Sequence, residues 1–100
     1  MTDITIEELK QKIEAKDDFL LIDVREDWEY QEFNINGKHI PLGSLQGAVD
    51  DLDDWIEKEV VVHCKSGGRS AAAKEFMVNQ GFKNVRNLLG GMLAWQAKYA

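Results

Sequence analysis

Three consecutive valines, Val60-Val61-Val62, run into His63-Cys64 and then into Lys65-Ser66-Gly67-Gly68-Arg69-Ser70, after which Ala71-Ala72-Ala73 carry the chain on. A continuous β-branched run reads as a strand buried on both faces, and such strands belong to parallel sheets covered by helices. The alanine-rich stretch reads as a helix. Cys64, the only cysteine, therefore sits where a strand ends and a short loop begins. Two glycines let backbone N–H groups of that loop turn inward and form an anion-binding nest. The helix N-terminus behind it adds unpaired N–H groups and a partial positive charge. Lys65 and Arg69 add full charges. All of these favour thiolate over thiol: a free cysteine titrates near pH ~8.5, and comparable settings bring that down to roughly 3.5–7.5. Cys64 is thus the candidate nucleophile, and Lys65, Ser66, Gly67, Gly68, Arg69 and Ser70 the candidate cradle for an anionic substrate. An inert buried cysteine followed by an ordinary glycine turn is the competing reading. The coincidence of strand, cysteine, glycine loop, arginine and helix weighs against it.

At 100 residues, positions 1–100 read as one domain with a single modest core. One cysteine excludes an internal disulfide and a resolving thiol within the chain, and fits a reducing compartment. The first residues lack the basic-then-apolar pattern of a signal peptide, so a cytoplasmic location is the default expectation. No apolar run reaches the length of a membrane span. A net charge of −6 argues against nucleic acid and anionic membrane as partners. A basic loop in an acidic chain points to local recognition of a small anion.

Thr5 is placed to cap a helix bearing Ile6, Leu9 and Ile13 on one face, with Glu8 completing a capping box. Phe19-Leu20-Leu21-Ile22 reads as a second central strand, ending in Asp23-Val24-Arg25. Residues 26–33 read as a short helix with Trp28 or Tyr30 and Phe33 turned inward, Trp28 reading as a core aromatic more than as a substrate platform. Pro41 fits a strand end, and Ser44 a helix cap. Asp50, Asp51, Asp53 and Asp54 have no calcium-loop spacing and read as a solvated face. His39 reads as a structural residue. His63 alternates away from Cys64 along the strand and is a poor base for it. Gly81 closes the helix after the loop, with Phe82 folding back on Met77; residues 83–89 hold a last strand and residues 92–97 a last helix with Trp95 in the core. Strands alternating with helices predict an α/β sandwich around a small, mainly parallel sheet. Ligands of such sheets lie beyond the carboxyl ends of the strands, where Asp23–Arg25 and Cys64 both fall.

These pieces occur together in a known order. Leu21-Ile22-Asp23-Val24-Arg25-Glu26 with Trp28-Glu29-Tyr30, His39-Ile40-Pro41-Leu42-Gly43, Val62 to Ser70, and Leu89-Gly90-Gly91-Met92-Leu93-Ala94-Trp95 resemble the single-domain form of the rhodanese sulfurtransferases over nearly the whole chain. The resemblance implies a three-layer rhodanese-like fold. It also implies that Cys64 carries a persulfide between a sulfur donor and an acceptor, with no metal or cofactor. The donor would be a small anion such as thiosulfate or a persulfide. The acceptor would be cyanide or a thiol, a protein thiol among them. Asp23 and Arg25 read as residues that support the loop. Some two-domain thiosulfate-using members carry an arginine where Glu29 stands, and some a cation at the position of Ser66. A carboxylate at that point would oppose thiosulfate.

Two other readings stay open. A cysteine-dependent phosphatase also joins thiolate, anion loop and arginine, but resembles Cys-x5-Arg, whereas Cys64 to Arg69 is Cys-x4-Arg. It also needs a general acid for its leaving alkoxide, and none is evident. A non-catalytic or regulatory binding module of the same fold is the other; the retained cysteine and loop cations argue against it. Inserting one glycine between Gly68 and Arg69 tests the loop-length argument. Sulfur transfer should fall, with weak phosphatase activity as the possible gain, and an insertion that leaves transfer untouched would show that loop length does not select the substrate.

Overall fold

The computed structural model describes residues 2–99, with Met1 and Ala100 outside the described residues. Its two continuous apolar runs are the central strands. β1 (Leu20–Asp23) and β3 (Glu59–His63) pair in parallel, with Leu20 opposite Val60 and Asp23 opposite His63. The short β2 (Lys38–His39) lies beside β1, and β4 (Asn84–Asn87) beside β3, so the parallel sheet has the order β2-β1-β3-β4. The helices are α1 (Ile6–Glu14), α2 (Asp27–Glu32), α3 (Leu45–Ala48), α4 (Gly68–Asn79) and α5 (Gly91–Tyr99).

Both faces of the sheet are covered, which is why β1 and β3 carry so few polar residues. Val60, Val62 and Cys64 point into one core with Leu45, Leu52 and Met77. Val61 points into the other with Ile4, Leu9, Met92 and Trp95. These alternating faces separate Cys64 from His63 as the strand period requires. The chain leaves β1 for one side of the sheet and returns to the other side as β3. The carboxyl ends of β1 and β3 therefore flank a topological switch point, the place where parallel sheets bind ligands. No helix among the described residues is long and apolar enough to cross a membrane.

Three expectations need correction. Trp28 is not a core aromatic: it is 66% exposed, because α2 is a helix of 6 residues that turns Glu29 inward and Trp28 outward. Ser44 makes no side-chain cap; it ends a 3-10 turn, Leu42–Ser44, that runs directly into α3. Thr5 does cap α1, accepting from the Glu8 N–H at 3.1 Å, but the Glu8 carboxylate binds Arg86 at 2.9 Å and does not complete the box. Ahead of α1, Ile4 bridges in parallel to Leu88 beyond β4. The other end signals hold: Gly81 has φ 104°, and the Phe82 N–H reaches the Met77 carbonyl at 3.1 Å. The four clustered aspartates are exposed.

His63 is wholly buried, and neither ring nitrogen has a hydrogen-bond partner among the described residues. Its Nε2 lies 3.8 Å from Asp23 Oδ2. Burial pushes its pKa down to about 4; the Asp23 charge opposes that shift and Arg25 adds to it. A histidine that is neutral in the fold but protonates on unfolding weakens folding as pH falls. The stability tied to His63 is thus complete above its ordinary 6.5 and is lost as pH drops from there through about 4. The loss is on the order of 3 kcal/mol at ~1.4 kcal/mol per pH unit. His63→Leu should flatten the urea-midpoint profile across that window. A variant as acid-sensitive there as the wild type would assign the pH dependence to other groups.

Candidate active site

β3 delivers Cys64 one residue past the last strand position, 1% exposed. Two backbone N–H donors and one hydroxyl surround its Sγ. The Gly67 N–H lies at 3.1 Å, the Ser70 N–H at 3.4 Å and the Ser70 Oγ at 3.3 Å. Gly67 has φ 123°, a conformation that L side chains rarely adopt and that glycine reaches freely. Ser70 N–H belongs to the first turn of α4, where helical N–H groups lack intrahelical partners. Burial raises the Cys64 pKa, but hydrogen bonds from the Ser70 side chain and from the backbone of Ser70, Gly67 and Ser66 outweigh it. The net shift is downward, toward thiolate.

A second helix N-terminus holds the loop from behind. The Met92 N–H donates to the Cys64 carbonyl and the Leu93 N–H to the Lys65 carbonyl, each at 2.9 Å. This approach is possible only because residue 91 is glycine. Its φ is 58°, and a Cβ there would lie 2.6 Å from the Lys65 carbonyl oxygen.

Asn87, buried at the end of β4, was not among the candidates. Its Oδ1 accepts from Ser70 Oγ at 2.6 Å, and its Nδ2 donates to the Gly67 carbonyl at 3.3 Å. It thereby ties the two residues that contact Sγ. Ser70 and Asn87 are 17 positions apart on different elements, and no local pattern links them.

The predicted cations are brought to the same end of the sheet but do different things. Lys65 and Ser66 are exposed on the loop, and Gly68 opens α4. Lys65 lines a cleft with Trp28, Phe33, Met92, Leu93 and Gln96. Arg69 does not point freely into the pocket. Its two terminal nitrogens clasp Glu29 at 2.6 and 2.9 Å. Arg69 holds the Glu29 carboxyl down at about 2, against the opposing effect of burial. Glu29 also accepts from the Glu26 N–H at 3.0 Å, fixing the start of α2. Glu29 is therefore not a free carboxylate repelling substrate; it is the counter-ion of the loop arginine. Asp23 and Arg25 form a buried pair, with Arg25 Nη2 at 2.8 Å from Asp23 Oδ2 and 2.6 Å from the Phe33 carbonyl. They join the end of β1 to the end of α2. His39 bonds the Arg25 carbonyl at 2.8 Å and stacks on Tyr30 with ring centroids 4.5 Å apart, a packing role. Among the described residues no group of His, Cys, Asp and Glu is arranged to hold a metal ion.

A family model described as a rhodanese-like domain matches residues 5–98. The Bacillus subtilis sulfurtransferase candidate YtwF is 42% identical over 97 residues, covering 96% of this chain and 91% of that protein. The sulfur carrier candidate YrkF of the same organism is 38% identical over 96% of this chain, which spans 51% of it, about half its length. A Coxiella burnetii protein named thiosulfate sulfurtransferase GlpE is 36% identical over 84% of this chain and 78% of its own length. The crystal structure of a rhodanese-related protein from Thermoplasma volcanium superposes with a TM-score of 0.85 at 31% identity, covering 99% of this chain and 94% of the other.

The Ser70 hydroxyl is the largest of the hydrogen-bonding influences that lower the Cys64 pKa. Ser70→Ala should therefore move the thiolate ultraviolet absorbance titration upward. An unmoved titration in a folded variant would transfer that influence to the backbone N–H groups alone.

Proposed function

Because this chain belongs to the rhodanese-like domain family, whose curated relatives at 36% to 42% identity include proteins named sulfurtransferases, we propose that it transfers sulfane sulfur as a persulfide on Cys64. The donor is a small anionic sulfur compound, thiosulfate or a persulfide. The acceptor is cyanide or a thiol, and a relative named as a sulfur carrier supports a protein thiol among the acceptors. One observation carries the reading: the only thiol of the chain lies at the switch point of the sheet with Gly67 and Ser70 N–H groups aimed at its sulfur.

The Cys64 thiolate attacks the outer sulfur of the donor. The S–S bond of the donor breaks, and sulfite or a thiolate departs with the electron pair. Both are good leaving groups at neutral pH, so no general acid is needed. The N–H groups that surround Sγ are preorganised to hold the negative charge of thiolate and persulfide without rearrangement. A nucleophilic acceptor then removes the outer sulfur and regenerates the thiolate, a double displacement with a covalent intermediate. Lys65, Ser66, Gly67, Gly68, Arg69 and Ser70 form the wall against which donor and acceptor bind, and Asp23 with Arg25 stiffens the neighbouring strand end. The phosphatase reading loses support from Arg69, whose guanidinium is engaged with Glu29 and not open to a phosphate. The compartment in which this chemistry runs is proposed to be the cytoplasm, where a lone thiol stays reduced.

Intact mass spectrometry tests the proposal. Wild-type protein incubated with a competent donor should gain the mass of one sulfur atom, and cyanide or excess thiol should remove it. With no second cysteine to form an internal disulfide, the charged form should persist until an acceptor is added. Cys64→Ser should stay folded, gain no sulfur and turn over no donor. Transfer surviving in Cys64→Ser, or a wild type that no donor ever loads, would replace this reading with a binding module.

A further inference from the structure

Three cations, Arg25, Lys65 and Arg69, stand at the carboxyl ends of β1 and β3. Two of them are neutralised within the protein. Arg25 grips the buried Asp23 with Nε at 3.0 Å and Nη2 at 2.8 Å. Arg69 meets Glu29 fork to fork, at 2.6 and 2.9 Å. The Glu29 side chain is only 8% exposed, so water screens the pair weakly on that side. A guanidinium whose paired donors face a carboxylate has its charge largely balanced by that carboxylate, and it attracts a third, anionic group less strongly. Among the described residues Lys65 makes no ion pair, and it is the one loop cation left to an incoming anion.

The possible donors differ in the charge that they bring to the transition state. When the Cys64 thiolate attacks thiosulfate, the new S–S bond forms as the bond to the sulfite sulfur breaks. The electron pair leaves with sulfite, and the reacting assembly carries three negative charges throughout. When the thiolate attacks an alkyl hydropersulfide, the same bond forms and the bond to the alkylated sulfur breaks. The pair leaves with the alkylthiolate, the proton stays on the transferred sulfur, and the assembly carries one negative charge. Loop N–H groups and one lysine match the second case far better than the first.

We infer that the Glu29–Arg69 pair sets donor specificity, turning the site away from dianionic thiosulfate and toward alkyl hydropersulfides. This rests on the sulfurtransferase reading above and names its donor class. Glu29 acts through Arg69 without touching the reacting atoms and is a positioning residue. Glu29→Gln removes its charge but keeps an oxygen for the Glu26 N–H, so α2 retains its first turn while the Arg69 charge is uncovered.

The test measures the second-order rate of Cys64 sulfur loading by rapid quench and intact mass, with thiosulfate and with cysteine hydropersulfide. In Glu29→Gln the ratio of the thiosulfate rate to the hydropersulfide rate should rise about tenfold, and added salt should shrink the gain. The double variant Glu29→Gln, Arg69→Gln should lose the gain, since the uncovered cation is gone. An unmoved ratio in a folded Glu29→Gln overturns the inference. If Glu29→Gln does not fold, the wild-type rates decide, each divided by the rate of the same donor with free cysteine. A thiosulfate quotient equal to or above the hydropersulfide quotient then overturns it. Failure of both donors to load Cys64 defeats the sulfurtransferase reading and this inference together, whereas loading by both with an unmoved ratio defeats only the inference.

Discussion

The loop from Cys64 to Ser70 hangs between the first turns of two helices, and the rest of the site depends on that suspension. The first turn of any α-helix has N–H groups with no partner inside the helix. In α4 the Ser70 N–H, with the Gly67 N–H just ahead of it, turns to the Cys64 sulfur. In α5 the N–H groups of Met92 and Leu93 turn to the Cys64 and Lys65 carbonyls. One helix end tunes the nucleophile and the other fixes the peptide that carries it. Each satisfies donors that would otherwise be left unpaired beside a buried loop. The arrangement also explains why glycine stands at positions 67 and 91: one supplies the turn and the other the clearance.

Ion pairing adds a second level of support. Asp23 and Arg25 fasten β1 to the end of α2, and Glu29 and Arg69 fasten the start of α2 to the start of α4. Helix α2 has only 6 residues and buries little apolar surface, with Trp28 turned to solvent. Its position therefore rests on these charge-assisted bonds more than on packing. The same pairs that hold the scaffold cancel charge beside the thiol, so the framework and the electrostatic character of the pocket are set by the same side chains.

The elements that depend on local pattern were legible from the residues alone. The two apolar runs became β1 and β3, and Gly81 with Phe82 closed α4 as such ends do. Cys64 could be read as a strand-end nucleophile because strand, loop and helix signals adjoin in sequence. What escaped reading was contact between distant positions. Arg69 and Glu29 are 40 residues apart and Ser70 and Asn87 are 17 apart, so spacing carries no trace of either bond. Trp28 was misjudged because burial of an aromatic is a reasonable average, and α2 is too short to show which of its faces turns inward. The parity of β3 separated His63 from Cys64, but parity does not reveal that the His63 ring lies buried with neither nitrogen bonded among the described residues.

The bridge from Ile4 to Leu88 has a consequence for the order in which the molecule can be assembled. Around it, the Asp3 carboxylate accepts the Asn87 N–H, and Arg86 reaches Glu8 and the Thr2 carbonyl, contacts that span 78 to 84 positions. Bringing such remote segments together has the entropic cost of closing most of the chain into one loop. The Ile4 backbone leaves the ribosome before Asn87 and Leu89 and waits for them before its N–H and carbonyl are paired. Because Asn87 in turn holds Ser70 against Cys64, the nucleophile acquires its final setting only at that late closure. A nascent chain stalled short of Asn87 would carry the cysteine without the support that completes its surroundings. The closure also lays Ile4 along the outer end of the sheet beyond β4, where an open edge would invite pairing with another chain.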